Sequence, residues 1–159
     1  MNEESLRKEL YAANENRAKI YYYIYDELRR ELGEAKAKEL MKRAIYRRGQ
    51  DIGEKFKPYA PGDFEGLKDA FIGGIPDGGQ MFLPRVVQAD SAGMEIEFYN
   101  CPLKNAWREM GLDAKDCSDM CEIARVIDNG TFEGAGFDFS VKAMPEGDLD
   151  CCTLTVKRK

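Results

Sequence analysis

Along the first third of the chain, apolar residues recur at helical rather than strand spacing. Over residues 14–32, Tyr21, Tyr25, Leu28 and Leu32 fall on one face, which predicts a helix closed by Gly33. The run IYYYIY inside it is apolar around much of the circumference, so this turn is expected to be deeply buried or to meet another subunit. A second helix is predicted over 34–57, with Ala37, Met41, Ile45, Ile52 and Phe56 on its inner face. It carries Gly49 and Gly53 in G-x-x-x-G spacing. A glycine inside a helix costs about 1 kcal/mol against alanine, so something must approach closely. Another helix is the commoner cause and a ligand the rarer one. KPYAPGDFEG reads as a connector and residues 64–72 as a short helix. GGIPDGGQ is a glycine-rich joint without the phosphate-loop pattern.

The second half changes period. PRVVQADSAGMEIEFYNCP reads as a hairpin turning at Asp90-Ser91-Ala92-Gly93. Met94, Ile96 and Phe98 alternate with Glu95, Glu97 and Tyr99, as in a half-buried strand. LKNAWREMG predicts a short helix ending at Gly111. DAKDCSDMCEIARVIDNG predicts another, with Asp113 as N-cap and Asn129-Gly130 as its stop. AGFDFSVKAM and CCTLTVKR read as strands flanking a PEGDLD turn. The expected fold is α+β: N-terminal helices packed with an antiparallel sheet of two hairpins separated by two short helices. One domain is expected over 1–159, helical over 1–75 and hairpin-helix-helix-hairpin over 80–159.

Charge and composition narrow the function. The net charge is −5 with no dominant basic stripe, which argues against nucleic acid as a partner. No apolar run reaches the ~20 residues that span a bilayer, and the polar start MNEESLRKEL has no signal core. A cytoplasmic protein with reduced thiols is therefore expected, its odd count of 5 cysteines arguing against a disulfide framework. Histidine is absent, which excludes Ser-His-Asp and Cys-His machinery and every histidine-bearing metal site. Proton transfer must then use Asp, Glu, Cys, Lys, Tyr or water.

The cysteines are the chemical candidates. Cys117 and Cys121 lie one turn apart on a helix. Cys121, Ala124 and Asp128 share a face, although Cys121 and Asp128 are about 10.5 Å apart along the axis. Cys101 ends a strand just before Pro102, and the adjacent Cys151 and Cys152 face opposite sides of another. C-x3-C on a helix is a loose match to a zinc knuckle, so no metal and no other cofactor is expected. A free cysteine otherwise behaves as a small buried hydrophobe. Asp148 sits in the tight turn before Cys151, where capping backbone amides is its ordinary role.

Cys101-Pro102, then Trp107, Gly111, Cys121 and Asp128, closing on Gly147-Asp148-x-x-Cys151, resembles the L-2-amino-thiazoline-4-carboxylic acid hydrolase family. ENRAKIYYYIYDELRRELG and AIYRRGQDIG resemble it as well, so the likeness covers most of the chain. The last third is also similar to vinyl-reductase-type ligand-binding domains, some of which hold zinc with three cysteines and a glutamate. Cys121 and Cys151 match two of those ligands; the other two fall near Ala143 and Ser140, which are not ligands.

The resemblance implies hydrolysis of a small cyclic amidine: water adds to the carbon between nitrogen and sulfur of a thiazoline, giving N-carbamoyl-L-cysteine. A planar arginine fork would hold the substrate carboxylate, and Arg48, beside Gly49, is the candidate. Asp128 or Asp148 is the candidate base, its pKa raised if buried. Cys121, then Cys151, then Cys101 are candidate nucleophiles, each needing a cation or helix N-terminus to become a thiolate. Trp107 could stack on a flat heterocycle, although a core tryptophan is commoner. Two rival readings remain. One is a non-catalytic small-molecule sensor; the other is a homodimer module built on the tyrosine-rich helix.

Overall fold

The computed structural model describes residues 2–143 and 152–159. The chain divides into two compact units, Met1–Ala44 with Cys101–Ala124 and Ile45–Asn100 with Arg125–Lys159. It is α+β, as the alternating patterns predict, with a four-stranded antiparallel sheet in the second unit.

In the first unit, α1 (Glu3–Leu32) is longer than the helix expected over 14–32. Its early turns lack a clear apolar stripe, and the helix is started by other means. The Asn2 side chain accepts from the Ser5 N–H at 2.8 Å, and Glu3 and Glu4 complement the dipole. The helix stops at Gly33 as expected, with φ +83°. Tyr25 is buried, whereas Tyr23 and Ile24 of the same run are exposed. The unit also contains the first part of α2 (Glu34–Gly53), α4 (Pro102–Glu109) and α5 (Ala114–Ala124). Asp113 caps α5 as expected, accepting from the Asp116 N–H at 2.8 Å.

Two devices tie these helices together. Trp107 of α4 is fully buried, and its indole N–H donates to the Ala18 carbonyl of α1 at 2.8 Å. Ala18 is also fully buried, and its small side chain lets α4 come close. The second device is a charge network. Arg29 of α1 bonds Asp26 at 2.9 Å and Asp116 of α5 at 2.6 Å. Asp119 of α5 accepts from Lys38 of α2 at 2.6 Å, Lys115 at 2.7 Å and the Tyr25 hydroxyl at 3.2 Å. Lys42 pairs with Glu122 beside them. Asp26 and Asp119 are both buried, so their charge must be matched by hydrogen-bonded cations.

In the second unit, α2 continues to Gly53 and tightens into a 3-10 turn at Glu54–Tyr59, where the expected α-helix ran to residue 57. Helix α3 (Phe64–Gly73) follows, capped by Asp63. The sheet is ordered β1-β2-β4-β3, from β1 (Pro84–Asp90), β2 (Gly93–Phe98), β3 (Phe137–Ala143) and β4 (Cys152–Arg158). Met94, Val156 and Phe139 align across three strands, as do Ile96, Leu154 and Val141. This apolar face meets Phe132 of α6 (Val126–Gly134), whose ring stacks on Phe139 at 5.1 Å and tilts against Phe71 at 4.9 Å.

Helix α6 corrects one expectation. Asn129-Gly130 does not end a helix. The break falls at Arg125, three helices rather than two separate the hairpins, and α6 runs on to Gly134. Gly130 is tolerated in mid-helix because α2 crosses there. A Cβ on Gly130 would strike the Tyr46 carbonyl, and one on Gly49 would fall 2.9 Å from the Gly130 Cα. A Cβ on Gly53 would strike the Thr131 carbonyl. G-x-x-x-G therefore marks a helix crossing, the commoner of its two readings. Tyr46 of α2 clamps it by donating to Glu133 of α6 at 2.7 Å, and Asn129, one turn back on α6, donates to the same carboxylate at 3.1 Å.

Two stability predictions follow from this packing. Gly130→Ala gains helix propensity but must force backbones apart, so denaturant titration should show a loss of about 2–3 kcal/mol. Gly73→Ala meets nothing within 4 Å and should be neutral or slightly stabilising. The second concerns pH. The Arg29 bond holds the Asp116 carboxyl below its ordinary range; burial raises Asp119, but Lys115 and Lys38 prevail and hold it low too. Their contribution is complete above about pH 4 and fades as pH falls through the lower folded-state values. Asp119→Asn should cost roughly 2–3 kcal/mol near neutrality and flatten the acid limb of the stability curve.

Candidate active site

Cys101, Cys117 and Cys121 lie in the first unit and Cys152 in the second, all as free thiols. Cys101 holds the N-cap position of α4, at φ −137° and ψ 104°, followed by Pro102 in the first turn. The first amides of the helix, those of Leu103 and Lys104, are turned towards its sulfur. Burial pushes the Cys101 thiol up from its ordinary value; the Lys104 and Leu103 amides and the Lys104 and Arg17 charges oppose this without overcoming it. The group is therefore a neutral thiol at pH 7, set in an electropositive surround.

Cys117 is buried in the first turn of α5, its thiol directed at the Leu112 carbonyl at 3.7 Å. Burial raises it as well, with Arg108 and Lys104 opposing. Cys121 is half-buried towards the end of α5. Trp107 is enclosed, with its polar edge spent on Ala18.

Arg17 is a group that the sequence reading passes over. It lies on α1 next to Ala18, the residue that receives the Trp107 indole, so its turn faces α4. Among the described residues its Nε is shielded from solvent and has no hydrogen-bond partner. One signal was available. The residues one turn away on α1 are Ala13, Asn14, Ile20 and Tyr21, none of them acidic.

In the second unit, Arg48 is exposed on α2 and Asp128 half-buried in the first turn of α6. Cys121 and Asp128 stand on separate helices, α5 and α6, because the helix breaks at Arg125. Cys152 opens β4 opposite Phe98. Asp148 and Cys151 lie outside the described residues. Among the described residues no group of three or more cysteines and carboxylates is arranged to hold a metal ion. Among them, too, no helix is long and apolar enough to cross a membrane.

Cys101 can therefore present a proton on sulfur. Comparison with known proteins adds to it. No curated protein matches the chain. Among solved structures it is similar to a trafficking protein particle complex subunit 3 from Naegleria fowleri, described as covalently bound to palmitic acid. The TM-score is 0.56 at 16% identity, over 93% of this chain and 96% of that one, which shows a shared fold. The family model described as L-2-amino-thiazoline-4-carboxylic acid hydrolase matches residues 13–155. With nearly its whole length matched, the chain belongs to the L-2-amino-thiazoline-4-carboxylic acid hydrolase family.

Proposed function

We propose that this protein opens the ring of a small carboxylate-bearing cyclic amidine, with 2-amino-thiazoline-4-carboxylate as the type substrate and N-carbamoyl-L-cysteine as product. The family match over residues 13–155 carries this reading. The reaction consumes one water. Its oxygen bonds to the carbon between sulfur and nitrogen, the carbon–sulfur bond breaks, and the two water protons end on the ring nitrogen and the departing sulfur.

Cys101 suits the last of these transfers. Burial keeps its proton on at neutral pH, and a thiol that protonates a departing thiolate passes the proton between groups of similar acidity. This role differs from the nucleophile expected of the cysteines, since a raised thiol is a poor resting thiolate. Cys121 is the second candidate in the same unit.

A second reading, binding without turnover, draws support from the similar fold of the palmitate-bearing complex subunit. Under it, some small molecule should raise the melting temperature and be recovered unchanged.

Turnover should appear as one new free thiol per ring opened, measured colorimetrically across a panel of thiazolines. Cys101→Ser should lower kcat about 100-fold or more, the usual worth of a proton donor. Cys121→Ser, Asp128→Asn and Arg48→Gln belong in the same experiment. Full activity in Cys101→Ser and Cys121→Ser would remove the thiol assignments, and no thiol above background in the wild type would remove the hydrolase reading.

A further inference from the structure

We propose that the outward face of α1 docks on the same face of a second copy of this chain, the two helices running antiparallel about a two-fold axis at Tyr23. The proposal goes beyond the reaction and does not rest on it.

Helix α1 is apolar on two sides, and the first unit uses one of them. Ala18 receives the Trp107 indole of α4, while Tyr22, Tyr25 and Arg29 bond Asp116 and Asp119 of α5. At about 100° per residue these four fall together on one side of the helix. Ile20, Tyr23 and Ile24 fall on the opposite side, and they are 48%, 62% and 46% exposed. Their i, i+3, i+4 spacing makes them one contiguous patch rather than scattered single residues. A helix turn that is apolar all round is ordinarily a buried one, and half of this turn is still open to water.

The charges beside the patch select its partner. Lys19 stands four residues before Tyr23 and Glu27 four residues after it, along one ridge of the helix, and both are exposed. Glu27 has a 3.4 Å contact with Arg30 on the solvent side of the same helix. When a second α1 is turned end for end about Tyr23, each Lys19 faces the Glu27 of the other copy. Ile20 and Ile24 of each helix then meet those of its partner, and the two Tyr23 rings lie at the axis. The same contacts occur twice, as an isologous interface requires. A parallel pairing would set Lys19 beside Lys19 and Glu27 beside Glu27. Glu27 and Glu31 on this face also make an anionic lipid surface a poor match.

Sedimentation velocity of the 159-residue chain over a concentration series tests this. The wild type should sediment at twice the chain mass. Tyr23→Glu, which brings two like charges together on the axis, should sediment as a monomer. Lys19→Glu and Glu27→Lys should each weaken self-association about tenfold, because two ion pairs become two repulsions. The double variant Lys19→Glu/Glu27→Lys should recover the wild-type dissociation constant. An equimolar mixture of the two single variants should form a heterodimer about as tight as the wild-type dimer. All three side chains are exposed, so every variant should keep the wild-type helix content by circular dichroism. A wild-type monomer up to about 100 µM would overturn the proposal. A dimer indifferent to Tyr23→Glu, or one whose charge variants lack this pattern of loss and recovery, would overturn it too.

Discussion

Charge removed from water must find an opposite charge or a donor of matching geometry. The first unit is organised by that demand. Asp119 is buried between Lys38, Lys115 and the Tyr25 hydroxyl, and the half-buried Asp116 is held by Arg29 and the Tyr22 hydroxyl. These contacts bind α1, α2 and α5 through residues far apart in sequence. Little apolar surface is needed to do so: apart from Tyr25, α1 buries only Ala18 and Asp26. The demand is met at every buried carboxylate described and left unmet at one guanidinium nitrogen, that of Arg17.

The second unit solves a different problem by omission. A phenylalanine cluster around Phe132 must reach the apolar face of a twisted sheet while α6 also meets α2. Glycines at 49, 53 and 130 remove the side chains that would hold the two backbones apart. The loss of helix propensity is repaid by close backbone contact and by the Tyr46–Glu133–Asn129 bonds. Packing on one side of α6 and glycine on the other leave it little freedom to shift along the sheet.

Features with a local cause were legible in the sequence. Gly33 ends α1, Asp113 starts α5, and Met94 and Ile96 turn inward, because each effect acts within a few residues. The hairpins and the α+β class follow from the change of period. The failures are tertiary. Asn129-Gly130 reads as a stop on propensity alone, and only the approach of α2 reverses it. The start of α1 was missed because a cap and first-turn acids, rather than an apolar stripe, define it. Among the site candidates, Cys101 was named as the third possible nucleophile, and the burial that raises its thiol is not written in its neighbours. Arg17 was overlooked because isolation from carboxylates is a property of three dimensions, faintly foreshadowed by the neutral residues one turn away.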